Sequence, residues 1–134
     1  MKSIFLATIC ATLALSCAAN ADEISSDKSC KNDPHVVGEC FSVHGRLSLY
    51  NGTPSSRIWI IGTKRLLGIR DNEETYSGAM NDLSKELSFD KDAYGNFLVC
   101  PLTPYREGNM QTVCIETASN VMLKLRSLNS GEKK

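Results

Sequence analysis

The chain lacks the features that usually mark a catalytic or nucleic-acid-binding protein. Its 15 basic and 15 acidic residues cancel, whereas binding to nucleic acid draws on clustered lysine and arginine. There are two histidines and no Gly-x-Ser-x-Gly nucleophile motif. No Cys-x-x-Cys pair occurs, and the histidines are not spaced as zinc ligands. We therefore predict no nucleic-acid partner, no metal site, no cofactor and no intrinsic catalytic activity.

Long apolar runs are scarce too, and the one that occurs lies at the N-terminus. Lys2 precedes the apolar residues 4–15, and Ala19-Asn20-Ala21 supplies small residues. Together these are the three parts of a secretory signal peptide. The run is shorter than the about 20 residues that a membrane-spanning helix needs. We expect residues 1–21 to be removed, the rest to be secreted or periplasmic, and no transmembrane segment to remain.

A second reading of the leader stays open. Ala14-Leu15-Ser16-Cys17 is an imperfect lipobox, the pattern that precedes the lipid-modified cysteine of bacterial lipoproteins. Its last two positions fit the pattern, whereas Ala14 and Leu15 fit it less well. In this alternative Cys17 carries a lipid anchor, and the protein is a membrane-anchored lipoprotein.

Four cysteines follow the leader, because Cys10 and Cys17 lie within it. The four are Cys30, Cys40, Cys100 and Cys114. An even number in a small exported domain predicts two disulfides. We favour the pairing of Cys30 with Cys40 and of Cys100 with Cys114, because each of these bonds closes a short loop. The alternative pairing staples the N-terminal arm to the late strands.

Alternation of apolar and polar residues predicts short strands along most of the chain. The predicted strands are residues 40–49, 57–62, 66–69, 97–100, 110–117 and 121–125. Asn51-Gly52 is a strong turn signal, and residues 90–96, with Asp90-x-Asp92, read as a turn rather than a calcium loop. In the polar stretch 70–88, the spacing of three apolar residues predicts a short helix over 81–87, or a mobile loop.

The strand rhythm predicts an all-β fold. We expect a small, antiparallel β-sandwich of the prealbumin or immunoglobulin type, stapled by disulfides, with a polar loop or short helix inserted. The domain is assigned to residues 40–126, preceded by an arm (22–39) and followed by a flexible tail (127–134). Trp59 is expected in the core, and Gly45 is expected to mark a bulge or a close backbone contact.

The order of the turn motifs resembles that of transthyretin-like and carboxypeptidase-regulatory-like domains. The motifs are Gly45-Arg46-Leu47, Asn51-Gly52-Thr53-Pro54, Arg57-Ile58-Trp59-Ile60 and Asp92-x-x-Gly95-Asn96-Phe97. The resemblance covers about sixty residues and implies a β-sandwich. The hydroxyisourate hydrolases of that fold end in Tyr-Arg-Gly-Ser, whereas this chain ends in Ser-Gly-Glu-Lys-Lys. It therefore implies an interaction or accessory domain rather than that enzyme.

Recognition is expected at the loops. The predicted contact surface is formed by residues 50–56 and 70–88, and it would take a protein or a small ligand. The candidate binding residues are Tyr50, Asn51 and Arg106. Lys64, Arg65 and Arg70 cluster near one sheet end and could receive an anion, although such charges usually serve solubility.

Two other functions stay open. The first is an inhibitor of a secreted enzyme, in which the proline-bounded loop 101–109 enters the target's cleft. The second is a small hydrolase that uses His44 as a general base, with Arg46 or an acidic loop residue. A solvent-facing strand residue is the simpler interpretation of His44.

Overall fold

The fold was obtained as a computed structural model that describes residues 29–70 and 78–126. The predicted signal peptide, Cys17 and the tail 127–134 lie outside these residues. The elements in chain order are a 3₁₀ turn (Cys30–Asn32), β1 (Phe41–Leu49), β2 (Ser56–Ile60), β3 (Leu66–Ile69), α1 (Gly78–Glu86), β4 (Lys91–Pro101) and β5 (Gln111–Leu125). Among the described helices, none is long and apolar enough to cross a bilayer.

The strands close into one barrel in the order β1-β2-β3-β5-β4, and β4 pairs with β1. β3 and β5 run parallel, while the other neighbouring pairs are antiparallel. α1 lies between β3 and β4 in the chain and packs against β5. The sheet is thus a closed five-stranded barrel with one helix inserted between its third and fourth strands.

The predicted all-β, disulfide-stapled class is confirmed, with the strands in a single mixed sheet rather than two packed layers. β1 hydrogen-bonds β2 on one side and β4 on the other, so it has no free edge. Gly45 faces Gly95 across β1 and β4. A Cβ on Gly45 would lie 2.5 Å from Ile58 Cγ2 and 3.0 Å from the carbonyl oxygen of Trp59. The close contact predicted at Gly45 is confirmed.

Alternate residues of the strands point into the barrel and form its core. The fully buried strand residues of this core cluster are Leu47, Ile58, Leu67, Ala93, Phe97, Val99, Val113 and Ile115. Met80 and Leu83 of α1 join this cluster, so the predicted short helix is confirmed and begins three residues earlier. Burying these side chains contributes the main favourable free energy of folding.

The favoured disulfide pairing was wrong, and the alternative is the one observed. Cys30 bonds Cys114 with a Cα–Cα distance of 5.8 Å, and Cys40 bonds Cys100 at 4.0 Å. Cys100 and Cys114 are partners across β4 and β5. Cys114 bonds Cys30 of the arm and Cys100 bonds Cys40 directly after it, so the arm is stapled to the late strands at both its start and its end.

Three further predictions are corrected. Residues 90–96 are not a turn, because β4 runs through most of them and Ala93 is part of the core. The two last strands are one continuous strand, β5, which bends at a register shift where Asn120 has a φ of 51°. Trp59 is not in the core, since it lies half-buried on the outer face, where its indole N–H donates to the carbonyl of Thr63 at 2.8 Å.

Candidate functional site

A groove of about 880 Å³ opens at one end of the barrel. Three segments border it: the start of β1, the β2–β3 hairpin, and the loop between β4 and β5. We call it the mouth groove. Its volume lies within the range of small-molecule sites, and barrel mouths are a common place for such sites.

Apolar side chains form much of its wall. Phe41 and Val43 occupy inward-facing positions of β1, and Ile60 occupies the corresponding position of β2. All three are only partly buried, although they pack on the core. Phe41 and Val43 lie on the same inward-facing side of β1 as Leu47, nearer the end of the barrel. Leu47 is fully buried, whereas these residues are not. The groove therefore presents apolar surface continuous with the core.

Arg65 is the most constrained cation at this groove. Its guanidinium carbon lies 5.4 Å from the ring centre of Phe41 and 4.5 Å from that of Tyr105. Its Nη2 donates to Oε1 of Gln111, and Gln111 in turn donates to the carbonyl of Thr103 at 2.9 Å. The Nε of Arg65 is buried, with no hydrogen-bond partner among the described residues. The chain thus holds this guanidinium between aromatic rings without neutralising it.

The β4–β5 loop forms the opposite side. Residues 103–110 are all exposed, yet the base of the loop is tightly held. The carbonyl of Thr112 accepts from the backbone N–H groups of Leu102 and Thr103, and the N–H of Thr112 donates to Oγ1 of Thr103 at 2.9 Å. At the tip, the N–H of Asn109 donates to the carbonyl of Arg106. The disulfides at Cys100 and Cys114 anchor the flanking strands.

The predicted binding residues fall in two loops. Arg106 is exposed in the β4–β5 loop, beside residues that line the mouth groove. Asn51 is exposed in the β1–β2 loop. Tyr50 in that loop faces away from the groove, with its ring 5.0 Å from the guanidinium of Arg57 and 5.7 Å from that of Arg126.

The two loops approach each other over β3. A Cβ on Gly68 would lie 2.6 Å from Pro54 in the β1–β2 loop. It would also lie 3.4 Å from Met110, at the end of the β4–β5 loop. The β1–β2 loop therefore borders the strand next to the groove. The other half of the predicted surface, residues 70–88, lies partly outside the described residues.

Charged residues on the outer face of the barrel form a cluster distinct from the groove. Asp92, 3% exposed, accepts from Arg126 at 2.6 Å and lies 4.0 Å from Arg46. The guanidinium carbon of Arg46 is 5.2 Å from the ring centre of Trp59. Burial opposes the charge of Arg46, but hydrogen bonds to Tyr50 and Tyr94 and the charge of Asp92 raise its pKa above the ordinary value. Arg46 and Arg126 thus share the single carboxylate of Asp92 within the fold.

His44 is exposed, and its Nδ1 lies 2.9 Å from Oδ1 of Asn96. Its described partner is therefore an amide, whereas a general base is usually oriented by a carboxylate or a backbone carbonyl. Cys30, Cys100 and Glu116 are the group of possible metal ligands found among the described residues. Both sulfurs are in disulfides, and a metal requires the thiolate.

Several groove residues were not identified from the sequence. Phe41 and Tyr105 are 64 positions apart, and no local pattern indicates that both would meet Arg65. The Lys64-Arg65 pair was a possible anion site, but charge clustering at a hairpin does not distinguish a constrained guanidinium from a solvated one.

Comparisons with family models, with curated proteins and with solved structures found no match. The barrel topology alone does not determine a function, because the same barrels carry many. The function therefore has to be argued from the site.

Proposed function

We propose that the protein is an exported, non-catalytic binding module that holds its ligand in the mouth groove. The observation that carries the proposal is the β4–β5 loop, which is fully exposed along residues 103–110 and anchored at its base by two disulfides. A loop held in place before binding loses little entropy when a ligand arrives. Exposed loops on rigid scaffolds commonly carry recognition.

The composition of the groove supports a ligand with an apolar part. Phe41, Val43, Ile60 and Leu66 offer apolar surface, while Arg65 and Asn109 offer polar groups at the rim. Binding sites typically combine such an apolar lining with a few fixed polar groups. Arg106 is the contact that we propose at the rim, and Tyr50 and Asn51 extend the surface along the β1–β2 loop.

Export is part of the proposal. Two disulfides indicate an oxidising compartment, since cytosolic thiols are kept reduced. A periplasmic or extracellular location fits this chemistry. Lipid attachment at Cys17 is the alternative form of export. The accessory role implied by the transthyretin-like motif order agrees with a binding module, although the resemblance rests on turns and not on the barrel.

The groove can be tested by filling it. Val43 faces the groove from β1 and is only partly buried, so Val43→Trp places an indole in the groove at a strand position that favours aromatic side chains. Thr117→Trp, at an exposed position of β5 outside the groove, is the matched control. Fluorescence titration with phenylnaphthylamine, an uncharged apolar probe, should show binding to the wild type and the control. Val43→Trp should weaken it at least about tenfold.

Two outcomes would refute the groove as the binding site. One is that the wild type does not bind the probe. The other is that all three proteins bind it equally, which would place the probe elsewhere, for example between α1 and β5 near Leu83 and Leu123.

The second candidate function is inhibition of a secreted enzyme by the β4–β5 loop. The observation that supports this function is the same loop, whose tip carries Arg106 in a hydrogen-bonded turn. An inhibitor would bind its target chiefly through this tip. Pull-down from an envelope fraction with wild type and Arg106→Ala distinguishes the two, because equal recovery of every partner by the mutant would argue against inhibition by the loop.

A further inference from the structure

Arg65 differs from Arg70 and Arg126 in how its charge is balanced. Arg70 pairs with Asp33 at 2.7 Å, and Arg126 pairs with Asp92 at 2.6 Å. In the described ranges, no carboxylate oxygen lies within 4.0 Å of the Arg65 guanidinium. Its hydrogen bond goes instead to the neutral amide of Gln111.

The position of Arg65 is nevertheless defined on several sides. The rings of Phe41 and Tyr105 contact the guanidinium, and Gln111, which is 5% exposed, holds Nη2. The buried Nε is without a partner, and Nη1 makes no hydrogen bond to a described residue. A guanidinium has five N–H donors, so most of its donors are unused. Such an arrangement keeps a planar cation oriented for an external acceptor.

We propose that the mouth groove binds an organic anion, with the apolar body of the ligand on Phe41, Val43 and Ile60 and its acidic group on Arg65. This inference rests on the proposed function and adds the chemical class of the ligand. Guanidinium groups bind carboxylate, sulfonate and phosphate oxygens through charge-assisted hydrogen bonds. In the partly enclosed groove, such a contact is stronger than one in open water.

The other charges at the groove agree with an anionic ligand. Lys64 adds a second cation at the hairpin, and Glu107 of the loop is the acidic residue among those lining the groove. Glu107 is exposed and makes no ion pair with Arg65 or Lys64 in the part of the chain that the structure covers. Lys64, Arg65 and Glu107 together give the lining a net charge of +1. Arg65 carries its charge beside the rings of Phe41 and Tyr105.

A pair of probes with nearly the same body separates the anion from the apolar surface. Anilinonaphthalene sulfonate carries an acidic group, and phenylnaphthylamine does not. Both would be titrated by fluorescence into wild type, Arg65→Met, Arg65→Lys and Lys64→Met. Arg65→Met keeps an unbranched, apolar side chain against Phe41 and Tyr105, and Lys64→Met removes an exposed neighbouring charge as the matched control. The unfolding midpoint of each variant would be measured in parallel.

The expected result is that wild type binds the sulfonate about tenfold more tightly than the neutral probe. Arg65→Met should lose that tenfold preference and retain the neutral probe. Arg65→Lys should recover part of it, because the charge remains but the planar fork is lost. Lys64→Met should change the preference less than threefold. Added salt should weaken the sulfonate and not the neutral probe.

The ways of failing are distinguishable. If the neutral probe binds in the groove but the sulfonate preference is absent or unchanged in Arg65→Met, the anion inference is wrong while the binding module stands. If neither probe is displaced by Val43→Trp, the groove itself is not the site, and the proposed function fails with it. An equal loss in Lys64→Met would show diffuse charge attraction and would also overturn the role of Arg65.

Discussion

The two disulfides are nested, so the stability that each contributes should depend on whether the other is present. Cys40–Cys100, with a sequence separation of 60, lies inside Cys30–Cys114, with a separation of 84. A crosslink stabilises by restricting the unfolded chain, in proportion to the logarithm of the loop that it closes. With the inner bond intact, the outer bond closes only the difference between the two separations, about 24 residues.

The loop-entropy relation converts this topology into free energies at about 25 °C. Alone, the outer disulfide is worth about 4.6 kcal/mol, and with the inner bond present it is worth about 3.5 kcal/mol. We therefore expect a coupling of about 1 kcal/mol between the two bonds. Separate loops, as in a pairing of Cys30 with Cys40 and Cys100 with Cys114, would give additive losses.

Urea unfolding of four proteins measures the coupling. They are the wild type, Cys30→Ala/Cys114→Ala, Cys40→Ala/Cys100→Ala, and the variant with all four changes. Alanine avoids leaving a hydroxyl group in these largely buried positions. If the losses in free energy of unfolding of the two double variants add up to the loss in the variant with all four changes, the nested arrangement is refuted. The variant with all four changes loses a large share of the stability of a small domain, so its unfolding curve is the hardest to measure. Peptide mapping of the unreduced wild type therefore provides a second, independent test of the cysteine pairing. A Cys30–Cys40 peptide would overturn the pairing directly.

Two other predictions concern single positions. Gly45→Ala should lower the free energy of unfolding by about 1–3 kcal/mol, because its Cβ would lie 2.5 Å from Ile58 Cγ2. Gly38→Ala, whose Cβ would make an ordinary 3.4 Å contact, should be near neutral, and equal urea midpoints would refute the packing argument. A hydrogen bond from the backbone N–H of His35 lowers the pKa of Asp33 below its ordinary value of 3.8. A folded pKa below the unfolded one contributes stability above pH 3.8 that is lost as the pH falls through the folded value. The stability gap between wild type and Asp33→Asn should thus narrow in urea titrations from about pH 6 to about pH 2, and parallel curves would contradict it.

Local patterns predicted much of the secondary structure because they depend on neighbouring residues. Alternation around Leu47 identified β1, and the spacing of Met80 and Leu83 identified α1. The same reasoning misread residues 90–96, where Asp92, Gly95 and Asn96 are typical turn residues. Asp92 is held in a strand by Arg126 and Arg46, and these partners are remote in sequence.

The sequence by itself determined that the chain forms strands and carries four cysteines suited to bonding, and it marked Gly45 as a bulge or a close backbone contact. The tertiary structure alone decided that the strands close into a barrel, which cysteines bond, and that Phe41, Arg65 and Tyr105 meet at its mouth. The reason is physical. Periodicity and turn chemistry act over a few residues, whereas strand order and contacts between distant side chains depend on how the whole core is buried.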